Sequence, residues 1–252
     1  MPETLSGAAY EWIRDKILTG EYPLGSPLSR RRLAEELAMS LVPVAEALQK
    51  LEAEGFVESQ PRVGTRVKIP TGREVRGRYL VREALESQSA RLFAEMAGER
   101  ERKELRRRAL RVDSLAAVLR TRKGDRKASL EFENAHIAFH MKIAECSGCD
   151  EIVEAIARSR VLIFNWLFGV SMKMEDVPKR WHQDLVEVLC KGDPLAADEA
   201  MRRHVRYRRD EIVARVETFV AEHQSRNKIV RGPQRRTLDL AASLSSGNGQ
   251  GP

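Results

Sequence analysis

The segment 28–67, LSRRRLAEELAMSLVPVAEALQKLEAEGFVESQPRVGTRV, most constrains the fold of this chain. Ser29 suits the N-cap of a helix through Ala38, and Ser40 suits the N-cap of the next one. In that next helix apolar residues recur at i, i+4 and i+7, and Gly55 suits its end. The residues that follow alternate apolar and polar side chains around a PRVG turn, which predicts a β-hairpin. Two short helices followed by a hairpin predict a winged helix-turn-helix.

A winged helix of this layout can insert its second helix into the major groove of DNA. The short connection over 39–42 sets that helix at an angle to the preceding one, so its N-terminus can point at base edges. We expect the DNA-contacting residues to be Arg30, Arg31, Arg32, Ser40, Leu41, Val42, Pro43, Ala45, Gln49, Arg62, Gly64 and Arg66. The alternative is that the two helices are only a packing solution, with the three arginines on a solvated face.

The net charge of the chain does not indicate that this segment binds DNA. The formal net charge is +7, but residues 1–72 carry 9 Lys/Arg and 10 Asp/Glu, which is −1. Residues 73–224 contribute +4 and residues 225–252 another +4. Local basic patches must therefore carry any argument for DNA binding.

Composition fits a protein of the cytoplasm. No apolar run approaches the roughly 20 residues that span a bilayer. The N-terminus lacks the basic-then-apolar pattern of a signal peptide. The chain has 3 cysteines in 252 residues, which argues against a disulfide framework and fits a reducing compartment.

Beyond a Pro-Thr-Gly linker at 70–72, helical periodicity is continuous to about residue 222 and gives no strand signal. It predicts six helices, near 74–97, 99–122, 126–146, 150–169, 175–191 and 194–222. The expected fold is therefore mainly α, a winged helix-turn-helix followed by an all-α bundle of six to seven helices. The predicted boundaries are 1–72 for the first domain, 73–224 for the helical domain, and 225–252 for a disordered polar tail.

Four of the five histidines lie in the helical half with informative spacing. His136 and His140 are i and i+4, so they share one helix face. His182 and His204 lie on the next two predicted helices. Three helices of one bundle can aim these imidazoles at a common point, and imidazole suits Zn, Ni, Cu, Fe or Mn. The alternative is that they are ordinary surface or core histidines.

The segment 28–67 resembles the winged helix of GntR-family transcriptional regulators, and the helical half resembles the FCD ligand-binding domain of their FadR subfamily. The likeness covers about 8–222. Its strongest marks are Leu33-Ala34-Glu35, Ser40, Pro43-Val44, Glu46-Ala47-Leu48, Leu51-Glu52, Gly55 and Gly64. The resemblance implies a ligand-responsive transcriptional regulator and not an enzyme, with a repressor expected. It also implies a homodimer on a double-stranded DNA operator. The alternatives are a dimeric adaptor that does not bind DNA, or a metalloenzyme built on the helical domain.

One departure from the family concerns DNA contact. Members commonly read S-R-x-P-V-R-E-A-L where this chain reads SLVPVAEAL over 40–48. Leu41 and Ala45 thus replace two arginines, a loss on the order of 1–3 kcal/mol each if these arginines read guanines. Either Leu41 and Val42 read thymine methyl groups in a different operator, or DNA binding is weak or lost.

The resemblance also implies a metal and an effector. Metal-binding FCD domains usually read D-x-x-F-H followed by two later histidines, and His136 occupies the Asp position here. The expected ligands are His136, His140, His182 and His204. Four neutral imidazoles leave the ion its full +2 charge and favour Zn, with Ni or Mn as alternatives. His136 could instead turn away and leave a three-histidine site.

Arg82 matches an arginine that often points into the effector cavity of FCD domains, and its planar fork suits a carboxylate. The effector expected from the resemblance is a small carboxylate: a sugar acid, hydroxy acid, dicarboxylate or amino acid. Asn165 is a second, weaker candidate for the effector pocket. The alternative for Arg82 is a surface salt bridge with Glu86 at i+4.

Overall fold

The computed structural model describes residues 4–122, 125–159 and 178–231. Its N-terminal part has three helices and a small sheet. Helix α1 spans Leu5–Leu18, α2 Arg30–Glu36 and α3 Leu41–Ala53. Ser29 caps α2 as predicted, since its hydroxyl accepts from the backbone N–H of Arg32.

Three strands complete this part, β1 (Pro27–Leu28), β2 (Val57–Gln60) and β3 (Gly64–Val67). The order is β1-β3-β2, antiparallel throughout, and Gln60 pairs with Gly64 at the hairpin end. Residues 60–64 form the tip of the wing, where Arg62 and Gly64 both have positive φ. The predicted winged helix-turn-helix is confirmed, with β1 as a strand that the sequence did not indicate.

Six helices follow within the described part of the helical half. They are α4 (Gly72–Met96), α5 (Glu99–Thr121), α6 (Arg126–Glu145), α7 (Asp150–Ser159), α8 (Trp181–Leu189) and α9 (Pro194–Arg231). Thr71 begins α4 with a capping box to Glu74, which marks the junction with the winged helix. The mainly α fold class is confirmed.

Helices α4 and α9 run antiparallel along the length of the helical domain. Arg202 and Arg206 of α9 pair with Glu83 of α4 at 3.2 and 2.7 Å. Further along α9, Glu217 lies 2.5 Å from Arg76 in the first turns of α4. Rising residue numbers on α9 therefore meet falling numbers on α4, and the C-terminal end of α9 points back to the winged helix.

Two predicted boundaries differ from the structure. Helix α9 continues to Arg231, past the predicted start of a disordered tail at 225. Polar residues without apolar periodicity can extend a helix that has already begun. Helix α8 begins at Trp181, not near 175; residues 178–180 precede it as a turn that starts at Pro178. Residues 232–252 lie outside the described residues, and the rest of the predicted domain division remains a prediction. Within the described ranges, no helix is long and apolar enough to cross a bilayer.

Candidate metal centre and DNA-binding surface

The four predicted histidines converge in the core of the helical domain. His136 and His140 project from α6, His182 from the first turn of α8 and His204 from α9. All four are buried, and one nitrogen of each lies within 4.8 Å of the other three. The sequence expectation of a common focus is therefore met, and His136 faces the cluster with the rest.

The donor set fits a transition-metal ion. The Nε2 of His182 and both ring nitrogens of His204 are buried and make no hydrogen bond. Nitrogens that share one tetrahedral ion at about 2.0–2.1 Å lie about 3.4 Å apart, so the rings would have to move closer together when an ion binds. Burial is also the main cause that lowers the pKa of each imidazole, that of His182 to about 4. Neutral imidazole is the form that ligates.

Asp113 of α5 holds His182 in place. Its Oδ1 accepts from Nδ1 of His182 at 2.7 Å and from the His182 backbone N–H at 3.2 Å. Its Oδ2 accepts from the backbone and side-chain nitrogens of Gln183, both at 3.1 Å. Asp113 thus caps the start of α8 and fixes the tautomer that leaves Nε2 free for an ion.

Glu86 of α4 lies beside His140. Its Oε2 lies 2.8 Å from Nδ1 of His140, while Nε2 of His140 lies 3.0 Å from Nε2 of His136. Burial raises the pKa of Glu86, but the adjacent Arg82 and His140 outweigh it and bring the pKa down to about 2. Glu86 is therefore ionised beside the cluster.

Glu133, one turn before His136, is a third buried carboxyl group at the cluster. Its Oε2 is 3.9 Å from Nδ1 of His136, and its Oε1 is buried without a hydrogen bond. Burial raises the pKa of Glu133 to about 7, with Arg208 and Arg82 opposing. Carboxyl groups thus lie near three of the four imidazoles: Asp113 at His182, Glu86 at His140 and Glu133 at His136.

Arg82 borders the histidine cluster from α4. Its Nε donates to Oε1 of Glu86 at 2.6 Å, and its Nη2 lies 3.4 Å from Nε2 of His140. Its Nη1 is buried and makes no hydrogen bond. The pair with Glu86 is thus present but buried, not at the surface. The N–H groups of Nη1 remain able to donate to an anion.

Sequence reasoning missed Glu86, Asp113 and Glu133 as neighbours of the cluster. The signal for Asp113 was an acidic residue on the buried face of α5, in step with Ala109 and Ala116. Glu133 stands at i−3 from His136, a spacing that the sequence displayed. The other predicted effector residue, Asn165, lies outside the described residues.

Aromatic rings close the cluster on several sides. Trp181 stacks on His204 with ring centroids 4.0 Å apart, and Phe132 lies parallel to His136 at 5.7 Å. Phe139 meets the edge of His182 at 5.3 Å. These walls keep water from the imidazoles and limit how far each ring can turn.

The exposed N-terminal turn of α3 is the candidate DNA-reading surface. Leu41 and Val42 are 56% and 65% exposed, which is unusual for apolar residues of this size. Ser40 stands at the N-cap but makes no side-chain capping bond, so its hydroxyl is available. Ala45 is half-buried and Gln49 exposed. Pro43 is buried, so its inclusion among the DNA contacts is corrected: it packs inward as the third residue of α3.

Basic residues flank this surface on α2 and on the wing. Arg30, Arg31 and Arg32 are exposed, and the latter two form i, i+4 pairs with glutamates of α2 at 3.3 and 3.0 Å. Such exposed pairs contribute little, so they do not prevent contact with phosphate. Arg62 and Gly64 are exposed at the wing tip, whereas Arg66 is half-buried and paired with Glu58 at 3.1 Å.

Comparison with known proteins agrees with both halves of this description. Residues 5–67 match the family described as bacterial regulatory proteins, gntR family, and residues 78–207 match the FCD domain. A probable D-xylose utilization operon transcriptional repressor of Paenarthrobacter nicotinovorans is 28% identical over 80% of this chain and 86% of its own. The HTH-type transcriptional regulator Mce2R of Mycobacterium tuberculosis is 30% identical over 76% of this chain and 84% of its own.

Solved structures show the same fold. A GntR transcriptional regulator from Rhodococcus sp. RHA1 superposes with a TM-score of 0.66 at 22% identity, covering 83% of this chain and 97% of that one. Escherichia coli McbR/YncC gives 0.62 at 17% identity, covering 84% and 98%. With its winged helix, its helical domain and its two family matches, the chain belongs to the GntR family of transcriptional regulators, in the group that carries an FCD domain.

Proposed function

We propose that this regulator is a homodimeric repressor whose DNA binding is controlled by a small carboxylate bound next to a histidine-ligated metal ion. The observation that carries the proposal is the buried cluster of four imidazoles, with ligand nitrogens within 4.8 Å and Arg82 at its edge. A structural core does not need four buried neutral imidazoles, with Nε2 of His182 and both ring nitrogens of His204 left unpartnered.

His136, His140, His182 and His204 would hold the ion, and zinc suits an all-imidazole set. When bound, such an ion would supply positive charge beside Arg82 and so attract a carboxylate. Asp113 and Glu86 orient two of the imidazoles from behind. Arg82 offers its unpartnered Nη1 to a carboxylate.

Helix α4 supports a route from this site to DNA. It carries Arg82 and Glu86 at the cluster and begins at Gly72, directly after the linker to the winged helix. An anion that competes with Glu86 for Arg82 changes the packing of α4, and with it the placement of the winged helix. Because coupling is reciprocal, operator DNA should weaken effector binding by the same factor by which effector weakens DNA binding.

The operator proposed for this chain differs from that of relatives with arginines in the S-R-x-P-V-R pattern. Leu41 and Val42 can contact thymine methyl groups in the major groove, while Arg30 and the wing contact phosphates. Selection from a random duplex library by the full chain tests this. Enriched sites rich in thymine support the assignment; recovery of no preferred sequence at low salt overturns it.

The metal and the effector are tested on full-length protein purified without a histidine tag. Metal analysis should find close to one zinc per chain, and a His140→Ala variant should lose it. Sugar acids, hydroxy acids, dicarboxylates and amino acids are then screened for release of the selected duplex. Sugar acids come first because the Paenarthrobacter relative is described as a regulator of a D-xylose utilization operon. Protein that takes up no zinc, even when zinc is added, overturns the metal site.

A further inference from the structure

Helix α3 presents an apolar surface in the turn that a recognition helix directs at base edges. Leu41 and Val42 are 56% and 65% exposed, and Ala45, one turn after Leu41, is half-buried. These three side chains carry no hydrogen-bonding group, so they cannot pair with the donors and acceptors of the bases. In the major groove, the apolar group that they can contact is a methyl group on C5 of a pyrimidine.

An unpaired carboxylate follows on the same face. Glu46 lies one turn after Val42 and is exposed. Within the described ranges, its carboxylate forms no hydrogen bond or ion pair. Phosphates repel a negative charge on this surface, and a hydrogen bond from a base offsets that repulsion. The base-edge contact typical of Glu is with the N4 amino group of cytosine.

The two contacts fall on a single base. Val42 and Glu46 are i and i+4, so their side chains are neighbours on the helix surface, with Cβ atoms about 5–6 Å apart. In 5-methylcytosine the amino group and the methyl group stand on adjacent ring carbons, C4 and C5. Thymine has the methyl group but presents an acceptor, O4, to the carboxylate. Unmethylated cytosine has the donor but lacks the methyl group, so 5-methylcytosine alone satisfies both side chains.

Positive charge on both sides of this surface suits a DNA duplex as its partner. Arg30, Arg31 and Arg32 are exposed at the start of α2, and Arg62 is exposed at the tip of the wing. Phosphate contacts of this kind position a reading helix and carry no sequence information, which leaves base selection to the exposed face of α3.

We propose that this chain recognises 5-methylcytosine in its operator, with Glu46 accepting from N4 and Val42 contacting the C5 methyl group. The proposal rests on the function proposed above, since it requires α3 to read the major groove of an operator. Methylation of the contacted cytosine then strengthens DNA binding. The regulator thus responds to the modification state of its operator as well as to an effector.

The test begins with two selections by the full-length chain from one random duplex library, amplified either with dCTP or with 5-methyl-dCTP. The methylated library should yield sites with cytosine at a fixed position of each half-site. The enriched duplex is then synthesised with 5-methylcytosine at one symmetry-related pair of positions at a time, and fluorescence anisotropy at constant KCl concentration gives Kd. Methylation at the contacted position should lower Kd about fourfold for each methyl group, which corresponds to ~0.8 kcal/mol. Methylation of other cytosines should leave Kd unchanged.

Variants of the two side chains separate their contributions. Val42→Ala should reduce the effect of methylation to less than about twofold, because most of the surface that contacts the methyl group is removed. The parent should bind 5-methylcytosine at least about fivefold more tightly than thymine at this position, and Glu46→Gln should lose that preference, since an amide can also donate to O4. Val118→Ala is the matched control, a 37% exposed valine on α5, and should behave as the parent. Far-UV circular dichroism checks that each variant keeps the fold.

Three results overturn the inference while leaving the proposed function intact. In the first, the parent binds the methylated and unmethylated forms of its enriched duplex equally. In the second, Val42→Ala keeps the full response to methylation. In the third, Glu46→Gln keeps the preference for 5-methylcytosine over thymine. Failure of both libraries to yield any preferred sequence would instead overturn operator reading itself, and the inference with it.

Discussion

At the scale of single residues, Asp113 of α5 holds the start of α8 and one of the four clustered histidines. It accepts four hydrogen bonds from the first turn of α8, one of them from the imidazole of His182. Burial raises the pKa of Asp113, but these bonds and the nearby His182 lower it below its ordinary value. The ionised carboxylate therefore holds both the start of α8 and one proposed metal ligand.

Asp113→Asn should weaken zinc binding by about 10- to 100-fold, as is typical when a carboxylate behind a ligating imidazole is lost. The amide also turns an N–H group toward donors on His182 and Gln183. Competition with a chromogenic chelator measures the affinity. Asp184→Asn is the matched control, because Asp184 is exposed and, within the described ranges, forms its ion pair with Arg180 on the surface of α8. Equal zinc affinity of D113N and the parent would contradict the assigned role.

The sequence was enough to predict the four imidazoles but not the groups behind them. His136 and His140 are two positions on one helical face, which periodicity alone determines. Asp113 meets His182 only because α5 and α8 pack together, a contact between residues 69 positions apart. Nothing in local spacing encodes such a meeting. Pro43, expected among the DNA contacts together with Leu41 and Val42, is buried as the third residue of α3.

At the scale of elements, α4 contains a glycine with no structural need for one. Gly77 is exposed in the helix interior, and a Cβ there would meet nothing within 4 Å. Glycine in such a position costs roughly 0.5–1 kcal/mol relative to alanine.

Gly77→Ala should raise the free energy of unfolding by about 0.5–1 kcal/mol, which urea denaturation followed by circular dichroism can resolve. Gly55→Ala is the opposing case. Gly55 has φ +80° and a Cβ there would lie 3.0 Å from Arg78 Nη2, so that variant should be destabilised. A destabilised G77A would show that α4 has a contact on this face that the description lacks.

Most elements followed from local patterns, and the exceptions have physical reasons. Strand β1 has two residues, too few to show an alternating pattern in the sequence. It forms because these residues pair with the edge of β3. The turn between α2 and α3 places Ala38 at φ 51°, a left-handed conformation that is uncommon for alanine and that the sequence therefore does not predict. The end of α9 continues beyond the last apolar period because polar helix formers extend a helix already begun.

At the scale of the whole molecule, the buried histidines make folding sensitive to acid when no metal is bound. The pKa of His182 is about 4 in the folded chain and about 6.5 in the unfolded one. Between these values the unfolded chain binds more protons, so stability is present above pH 6.5 and falls as the pH decreases toward 4. Glu86, with a folded pKa of about 2, adds a loss in the same direction below its unfolded value of 4.5.

The metal-free protein should therefore lose on the order of 3 kcal/mol of stability from His182 alone between pH 6.5 and pH 4. Glu133, whose pKa burial raises to about 7, acts in the opposite direction between pH 7 and pH 4.5, so the share of His182 is read from the difference between variant and parent. Urea denaturation at a series of pH values measures this. A His182→Gln variant should show a flatter profile, although the other three imidazoles retain their own share. A His182→Gln profile as steep as that of the parent would mean that His182 is not buried in its neutral form in the metal-free state.

Helix α4 also sets an angular phase between the two halves of the molecule. One uninterrupted helix leads from Gly72 at the linker to Arg82 and Glu86 at the cluster. Each residue added to it near the linker turns the winged helix by about 100° about the α4 axis. Seven added residues, by contrast, restore the phase to within about 20° while lengthening the helix by about 10 Å. The affinity for operator DNA should therefore vary periodically with the number of residues in α4.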